Sequence, residues 1–393
     1  MAAVYTSITL SYLPKARVLA ASVKRHNPEV RFYLVLAEPT PQWLADGIAS
    51  GREPFDVALS ADMLEIPQLP SWLFGHSLVE ACTGVKAPAM LKLQRDFGER
   101  KILYLDPDIV VFSPLDPLFA MLDQHSILLT PHCSQSETEL APIEANEISS
   151  LAHGVYNLGF VGVAADDEGQ RFAQWWAQRL YHFCHDDVPR GLFTDQRWID
   201  LVPAQFDRVR IVRETAYNVA SWNITQRKVS GEVPEGLQCD SRPLCFYHFS
   251  GMNKQIPEQA YARFAPENRT LSRLVAWYRK TCESAGEQEF EASRWHFDNY
   301  DNGEKITRAQ RLYYRHHPEL HSQFPNPFTA GGDSYLRWLE TAGPGLQETE
   351  DLYSHQTHVL QQAVRRLHRI ENSRLYKLYS VANRFMRATC GLM

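Results

Sequence analysis

Two aspartates separated by one proline, Asp106-Pro107-Asp108, stand where an apolar run from Ile102 to Leu105 gives out. Such a run reads as a buried strand. A strand that ends in Asp-x-Asp at the carboxyl edge of a sheet brings two carboxylates near one point. That is a seat for a hard divalent cation with oxygen ligands, and a cation held there can grip a diphosphate. Pro107 has a fixed φ and no backbone N–H, which stiffens the pair. A plain strand-end turn competes with this reading, because Asp and Pro are common turn residues.

A second segment weighs toward chemistry. Pro243-Leu-Cys-Phe-Tyr-His248-Phe-Ser-Gly251-Met-Asn-Lys254 again reads as a short strand running into a turn. An imidazole nitrogen completes a two-carboxylate site for manganese-like ions. Gly251 lets the backbone come close to a ligand, and Lys254 is a point charge suited to phosphate. Alone, His248 would be an ordinary strand-end histidine. The metal reading gains because both motifs occur together, each behind an apolar strand.

These residues need a scaffold. Val4 to Leu10 alternates like a strand, and 14–26 reads as a helix opened by Pro14. A buried strand follows at 31–37, a short helix at 43–49, and a longer helix at 80–97 that leads into the strand before Asp106. That order predicts an α/β fold with a mostly parallel sheet flanked by helices, and ligands then bind beyond the strand carboxyl ends. Thr6 would form the floor under a nucleotide base. Lys86 would reach a phosphate, or else be a solvated helix lysine. Asn157 can donate and accept hydrogen bonds, which suits sugar hydroxyls. Gly159 and Gly162 would bring backbone close, or mark a bulge. Thr194 or Asp195 makes a good helix N-cap. Phe172, Trp175, Trp176 and Leu180 recur at helical spacing and read as core. The segment from Tyr217 to Asn223 would line an acceptor cleft.

Composition narrows the class. The chain has 393 residues, 22% charged and 44% hydrophobic, with a net charge of −6. That balance is typical of globular proteins and argues against general nucleic-acid binding. The N-terminus lacks a basic start followed by an apolar stretch, so no signal peptide is expected. No run reaches membrane-span length. Seven scattered cysteines without a CxxC predict reduced thiols in a cytoplasmic protein. Residues 256–355 are aromatic- and turn-rich, with Trp295 to Gly303 and Asn326 to Asp333 as structural turns. Residues 356–393 carry seven Lys/Arg against Glu371 alone, with Val364, Leu367, Leu375, Leu378, Val381 and Phe385 near helical spacing. This reads as a basic amphipathic helix, either peripheral on an anionic membrane or packed against protein.

Four segments, in order, resemble the GT-A glycosyltransferases, closest to the retaining family 8 type that includes glycogenin and bacterial lipopolysaccharide galactosyl- and glucosyltransferases. Leu103 to Asp108 is similar to the Tyr-Leu-Asp-x-Asp metal motif. Tyr156 to Val163 resembles the Asn-x-Gly segment beside the donor sugar. Phe193 to Gln196 resembles the Asp-Gln pair near the reacting carbon. His248 to Lys254 resembles the His-x-x-Gly-x-x-Lys motif. The resemblance spans roughly residues 1–255, and departs at Gln255-Ile256, where the family has Pro-Trp, and over 205–242. It implies a GT-A (Rossmann-like) domain over 1–255, followed by a mainly helical C-terminal appendage. It implies metal binding by Asp106, Asp108 and His248 (Mn²⁺ or Mg²⁺), and catalytic work by Asp195 and Gln196. Donor contacts would come from Thr6, Lys86, Asn157, Gly159, Gly251 and Lys254. The donor would be a UDP-sugar, the transfer hexosyl and retaining, and the acceptor a glycan or lipid-linked glycan of a cell-surface polysaccharide. Two rival expectations are a sugar-phosphate nucleotidyltransferase and a non-catalytic glycan-binding or scaffold protein. The first would bring a Gly-rich loop after the first strand, and Thr6 to Tyr12 has no glycine.

Overall fold

The computed structural model describes residues 1–290 and 292–341. The basic segment expected over 356–393, and residues 342–355 before it, lie outside the described residues.

Ten strands lie within residues 1–211: β1 (Ala2–Ile8), β2 (Arg31–Leu36), β3 (Val57–Ser60), β4 (Lys101–Leu105), β5 (Ile109–Val111), β6 (Ile127–Pro131), β7 (Tyr156–Ala164), β8 (His185–Asp187), β9 (Leu192–Thr194) and β10 (Val209–Ile211). Seven of them form one sheet in the order β10-β6-β7-β4-β1-β2-β3. All neighbours are parallel except β7, which runs antiparallel to both β4 and β6. The chain winds outward from β1 through β2 and β3, then returns to the other side of β1 as β4. The edge between β1 and β4 is therefore a point where winding reverses, the usual place for a ligand crevice in open α/β sheets.

Helices cover both faces: α1 (Leu13–His26), α2 (Gln42–Ala49), α3 (Leu69–Phe74), α4 (Leu78–Gly84) and α5 (Lys86–Arg95). Strand parity sorts the core into two layers. Ala3, Tyr5, Tyr33 and Val35 pack on one face against α4, α5 and the helix Asp167–Phe183, which contributes Phe172, Trp176 and Leu180. Val4, Ile8, Phe32 and Leu34 pack on the other face against Leu13, Ala16, Leu19 and Val23 of α1. Burial on both faces explains why β2 and β4 read as continuous apolar runs.

The expected scaffold is present, with three differences. The single helix expected over 80–97 is two, because Val85 both ends α4 and precedes α5. β3, with only four residues, was not foreseen. Leu10 falls in a one-turn helix, Leu10–Tyr12, past the end of β1.

No break in the core falls at residue 255. The cluster around Val110, Tyr247 and Phe249 runs on into Tyr261, Leu271, Leu274 and Tyr278 of the helices Ile256–Phe264 and Arg269–Ser284. Further on, Tyr300, Tyr314, Phe324 and Tyr335 close around Phe74 of α3. The turns expected there are structural: the Ala330 N–H donates to Asp301 Oδ1 at 2.9 Å and the Trp295 indole N–H to the Ala37 carbonyl at 3.0 Å. Arg311, 6% exposed, donates to the carbonyls of Phe74, His76 and Phe297. Arg315 pairs with Glu80 at 3.2 Å. Burial works against the Glu80 carboxylate, but Arg315 outweighs it and the group is held down at about 2. Glu80 also completes a capping box with Ser77 at the start of α4 and accepts from the Asp186 N–H.

This junction predicts acid sensitivity. Burial drives His76 down to about 4 and His185, also beside Arg315, to about 3. An unfolded histidine titrates near 6.5, so below that value the unfolded chain binds protons that the native one excludes. Stability should therefore fall as pH drops from about 6.5 toward 4, by up to ~1.4 kcal/mol per pH unit for each histidine. Thermal midpoints measured across that window check this, and His76→Asn should flatten the slope. A midpoint independent of pH there would contradict it.

Candidate active site and metal centre

The carboxylates are placed by a tight turn between two strands. β4 ends at Leu105, and the next N–H, of Asp106, donates to the Gly159 carbonyl of β7 at 2.8 Å. The Ile109 N–H then donates back to the Asp106 carbonyl at 3.0 Å, closing the turn over Pro107 where β5 begins. β5 pairs antiparallel with the strand Phe246–His248, placing His248 opposite Ile109. The Phe249 N–H donates to the Asp108 carbonyl at 2.8 Å. Two segments far apart in sequence thus present their polar ends at one point.

Ligand atoms of Asp106, Asp108 and His248 all lie within 4.8 Å of one another. His248 Nε2 stands 3.0 Å from Asp108 Oδ1 and 3.7 Å from Asp106 Oδ2. Ligands of one ion at roughly 2.1 Å would sit ~3–4 Å apart, so a slight closure would fit a divalent cation. Burial disfavours the imidazolium, but the Asp108 carboxylate outweighs it and holds His248 above its ordinary value. A cation binds the neutral ring, so its binding competes with protonation. The other ring nitrogen, Nδ1, is buried without a hydrogen-bond partner among the described residues. It lies over Gly159, where an added Cβ would stand 2.3 Å from His248 Cε1. Gly159 is thus needed for close approach.

Behind the trio sits a buried cation. Lys86 is 2% exposed. Its Nζ is 2.9 Å from Asp195 Oδ2 and 3.3 Å from Asp106 Oδ1, and donates to the Leu158 carbonyl at 3.1 Å. Burial opposes its charge, yet Asp106 and Asp195 together raise its pKa above the ordinary lysine value. Burial raises Asp195, with Lys86 pulling it back. The Tyr104 phenol donates to Asp106 Oδ1 at 2.6 Å and lies 3.1 Å from Ser7 Oγ.

A polar layer adjoins this on β7. Gln196 Oε1 accepts from the Leu158 N–H at 3.0 Å, and its Nε2 donates to the His153 carbonyl at 2.9 Å. Asn157 Oδ1 accepts from the Gly159 N–H at 3.1 Å and from Asn218 Nδ2 at 2.9 Å. Trp222 meets the His248 ring edge-on at 5.1 Å and the His132 ring at 5.5 Å.

The expected residues separate into those gathered here and those not. Asp106, Asp108, His248, Lys86 and Asp195 converge, with Asn157, Gly159 and Gln196 beside them. Thr6 does not: it is fully buried on the opposite face of β1, and Ser7 and Thr9 line the cleft in its place. The two-residue strand period decides this. Thr194 and Asp195 cap no helix; Gln196 occupies the N-cap position of the one-turn helix Arg197–Leu201 without a capping bond, and Thr194 donates to Asp195 at 3.0 Å. Gly251 takes a positive φ of 75° before the turn Met252–Lys254, and Lys254 is exposed. Tyr104 was missed, although strand period puts it on the same face as Asp106. His132 was missed because nothing local marks it, while Asn218 and Trp222 come from the segment expected to line an acceptor cleft.

The cleft beside the two aspartates holds about 170 Å³ and is lined by Ser7, Thr9, Tyr12, Lys86, Asp106 and Asp108, among others. Larger hollows of 440 and 910 Å³ lie away from the carboxylates. Chemistry, not volume, marks the site.

No protein-family profile matches the chain. Two curated relatives, both called uncharacterized, come from Bacillus subtilis strain 168. YfnF is 29% identical over 153 residues, 38% of this chain and 49% of that protein. YfnD is 25% identical over 249 residues, 63% of this chain and 76% of that protein. The chain thus spans about half the length of the first relative. Among solved structures it is similar to the galactosyltransferase LgtC with donor and acceptor sugar analogs (16% identity, 72% of this chain and 96% of that one, TM-score 0.40). It is also similar to apo mouse xyloside xylosyltransferase 1 (14%, 63% and 96%, TM-score 0.38), and to the glycosyltransferase GlyE of Streptococcus pneumoniae TIGR4 (15%, 72% and 64%, TM-score 0.41). At this identity and overlap, these likenesses assign no role to any residue of this chain.

Two substitutions test the geometry. Gly159→Ala should displace the His248 ring and lower Mn²⁺ affinity by roughly ten- to a hundredfold, read by calorimetric titration of Mn²⁺ alone. Normal affinity in the folded variant would contradict the placement. Lys86→Met leaves Asp106 and Asp195 without their shared cation and should destabilise by about 3–5 kcal/mol. Denaturant unfolding checks it, and Lys86→Met/Asp195→Asn should recover part of the loss.

Proposed function

We propose that this protein is a metal-dependent GT-A glycosyltransferase that moves a sugar from a nucleoside-diphosphate sugar, UDP-linked by resemblance, to a hydroxyl of a glycan or lipid-linked glycan. The supporting observation is the convergence of Asp106, Asp108 and His248 at the carboxyl edge between β1 and β4, with Lys86 and Asp195 directly behind. Two carboxylates and one imidazole suit Mn²⁺ or Mg²⁺. The retaining course and hexosyl donor rest on the motif resemblance alone.

In this reading Asp106, Asp108 and His248 hold the cation, and Tyr104 orients Asp106 by its hydrogen bond. When bound, a divalent cation supplies charge stabilisation to a departing diphosphate. Lys86 holds Asp106 and Asp195 together through its two ion pairs. Asp195 faces the donor sugar and orients it, while the glycosyl carbon passes through an oxocarbenium-like state. Gln196 has both ends of its amide engaged by backbone. We therefore assign it to fixing β7 and Asn157 beside the sugar, in preference to attack on the sugar itself. Lys254, exposed on its turn, would meet the diphosphate at the rim with Gly251 as its hinge. The six cysteines among the described residues are unpaired, in keeping with a cytoplasmic enzyme. No described helix is long and apolar enough to cross a membrane.

A thermal-shift screen of nucleotides with and without Mn²⁺ tests this, since a ligand that binds the native state raises its stability. UDP should stabilise the protein by ~3 kcal/mol at a hundred times its dissociation constant, only with metal, and Asp108→Ala should abolish the effect. Stabilisation by UDP without metal, or none by any nucleotide, would overturn the reading. Binding without sugar transfer would favour the scaffold alternative.

A further inference from the structure

Lys15 stands beside this cleft without an assigned partner. It lies in the first turn of α1, is 8% exposed, and its Nζ sits 4.3 Å over the Tyr12 ring. Among the described residues no carboxylate pairs with it within 4 Å; Asp108 pairs with His248 instead. Its charge is nevertheless felt at Asp108 and at Cys282. Burying a lysine is costly unless something compensates the charge. A polar group on the helix packed against α1 is unsatisfied. Tyr278, 2% exposed on the helix Arg269–Ser284, has no hydrogen-bond partner for its hydroxyl among the described residues. Its ring stacks at 3.9 Å on Phe249, the residue after His248. Tyr12 and Asp108 both line the cleft, and Lys15 adjoins that lining through the Tyr12 ring.

The other two lysines of the site are differently engaged. Lys86 is held by Asp106 and Asp195. Lys254 is exposed. Besides the divalent cation and Lys254, a diphosphate entering beside three carboxylates gains from any further cation close to them. The first turn of α1 carries no acidic residue to neutralise one, and the positive end of that helix opens on the same edge of the sheet.

We infer that Lys15 is a phosphate-binding residue of the donor cleft, a buried cation beside Asp108 that takes an anionic oxygen of a bound nucleoside diphosphate. The inference rests on the donor reading above. It differs from a purely structural role, in which Lys15 would serve only as counter-charge to Asp108.

The test uses the full chain, as wild type, Lys15→Met and Lys15→Arg, titrated with Mn²⁺ alone, then with UDP and with uridine in saturating Mn²⁺. Lys15→Met should weaken UDP roughly tenfold or more, the scale of a hydrogen bond to a charged group. Uridine and Mn²⁺ binding should stay within about twofold, and Lys15→Arg should retain UDP. Equal loss of UDP and uridine, unchanged UDP, or a change confined to Mn²⁺ affinity would overturn the inference while leaving the donor reading intact. Wild type that binds no nucleoside diphosphate would overturn the donor reading itself. Should Lys15→Met fail to fold, mass spectrometry of acetylated wild type decides. UDP with Mn²⁺ should protect Lys15 and uridine with Mn²⁺ should not; equal labelling in both would overturn the inference.

Discussion

One buried ammonium group organises the functional edge of this protein. Lys86 sits between Asp106 and Asp195, at 3.3 and 2.9 Å, with the Leu158 carbonyl at 3.1 Å and the Tyr104 ring 4.2 Å beneath it. Four parts of the chain meet there: α5, the end of β4, the turn after β9, and β7. A lysine buried this deeply keeps its charge only while carboxylates face it. Those carboxylates tolerate burial only while the lysine is present. The result is an anionic surface of fixed geometry that can receive a cation.

The C-terminal helices support that arrangement from a distance. Glu80 binds Arg315, caps α4 and accepts from the Asp186 N–H. α4 passes through Val85 directly into Lys86. The same junction therefore sets where α5 begins, and so where its first residue points. On the other flank, the helix Arg269–Ser284 packs Tyr278 on Phe249 and so braces the strand that carries His248. The histidine and the lysine are each fixed by helices from residues beyond 255, which is why the core is continuous across that position.

Much of this was legible in the chain. The apolar runs before Asp106 and His248 gave the strands, because strands buried on both faces cannot alternate with polar residues. Pro14 marked the start of α1. What escaped had physical causes. Thr6 and Ser7 differ by one residue, and strand parity sends one to the core and the other to the cleft. The interruption at Val85 did leave a mark, in Gly84 before it and Pro88 after it, which end one helix and open the next. The contacts of Asn157 with Asn218, and of Trp222 with His132, join positions dozens of residues apart. Only the folded chain brings them together.

The central claim is that Asp106, Asp108 and His248 form one cation site that receives a diphosphate. Anomalous diffraction from crystals grown with Mn²⁺ and UDP measures this directly. The account predicts one manganese peak at roughly 2.1 Å from a carboxylate oxygen of each aspartate and from His248 Nε2, with diphosphate oxygens completing its shell. Manganese bound elsewhere, or UDP bound in the cleft while His248 stays paired with Asp108 and no metal peak appears, would contradict it.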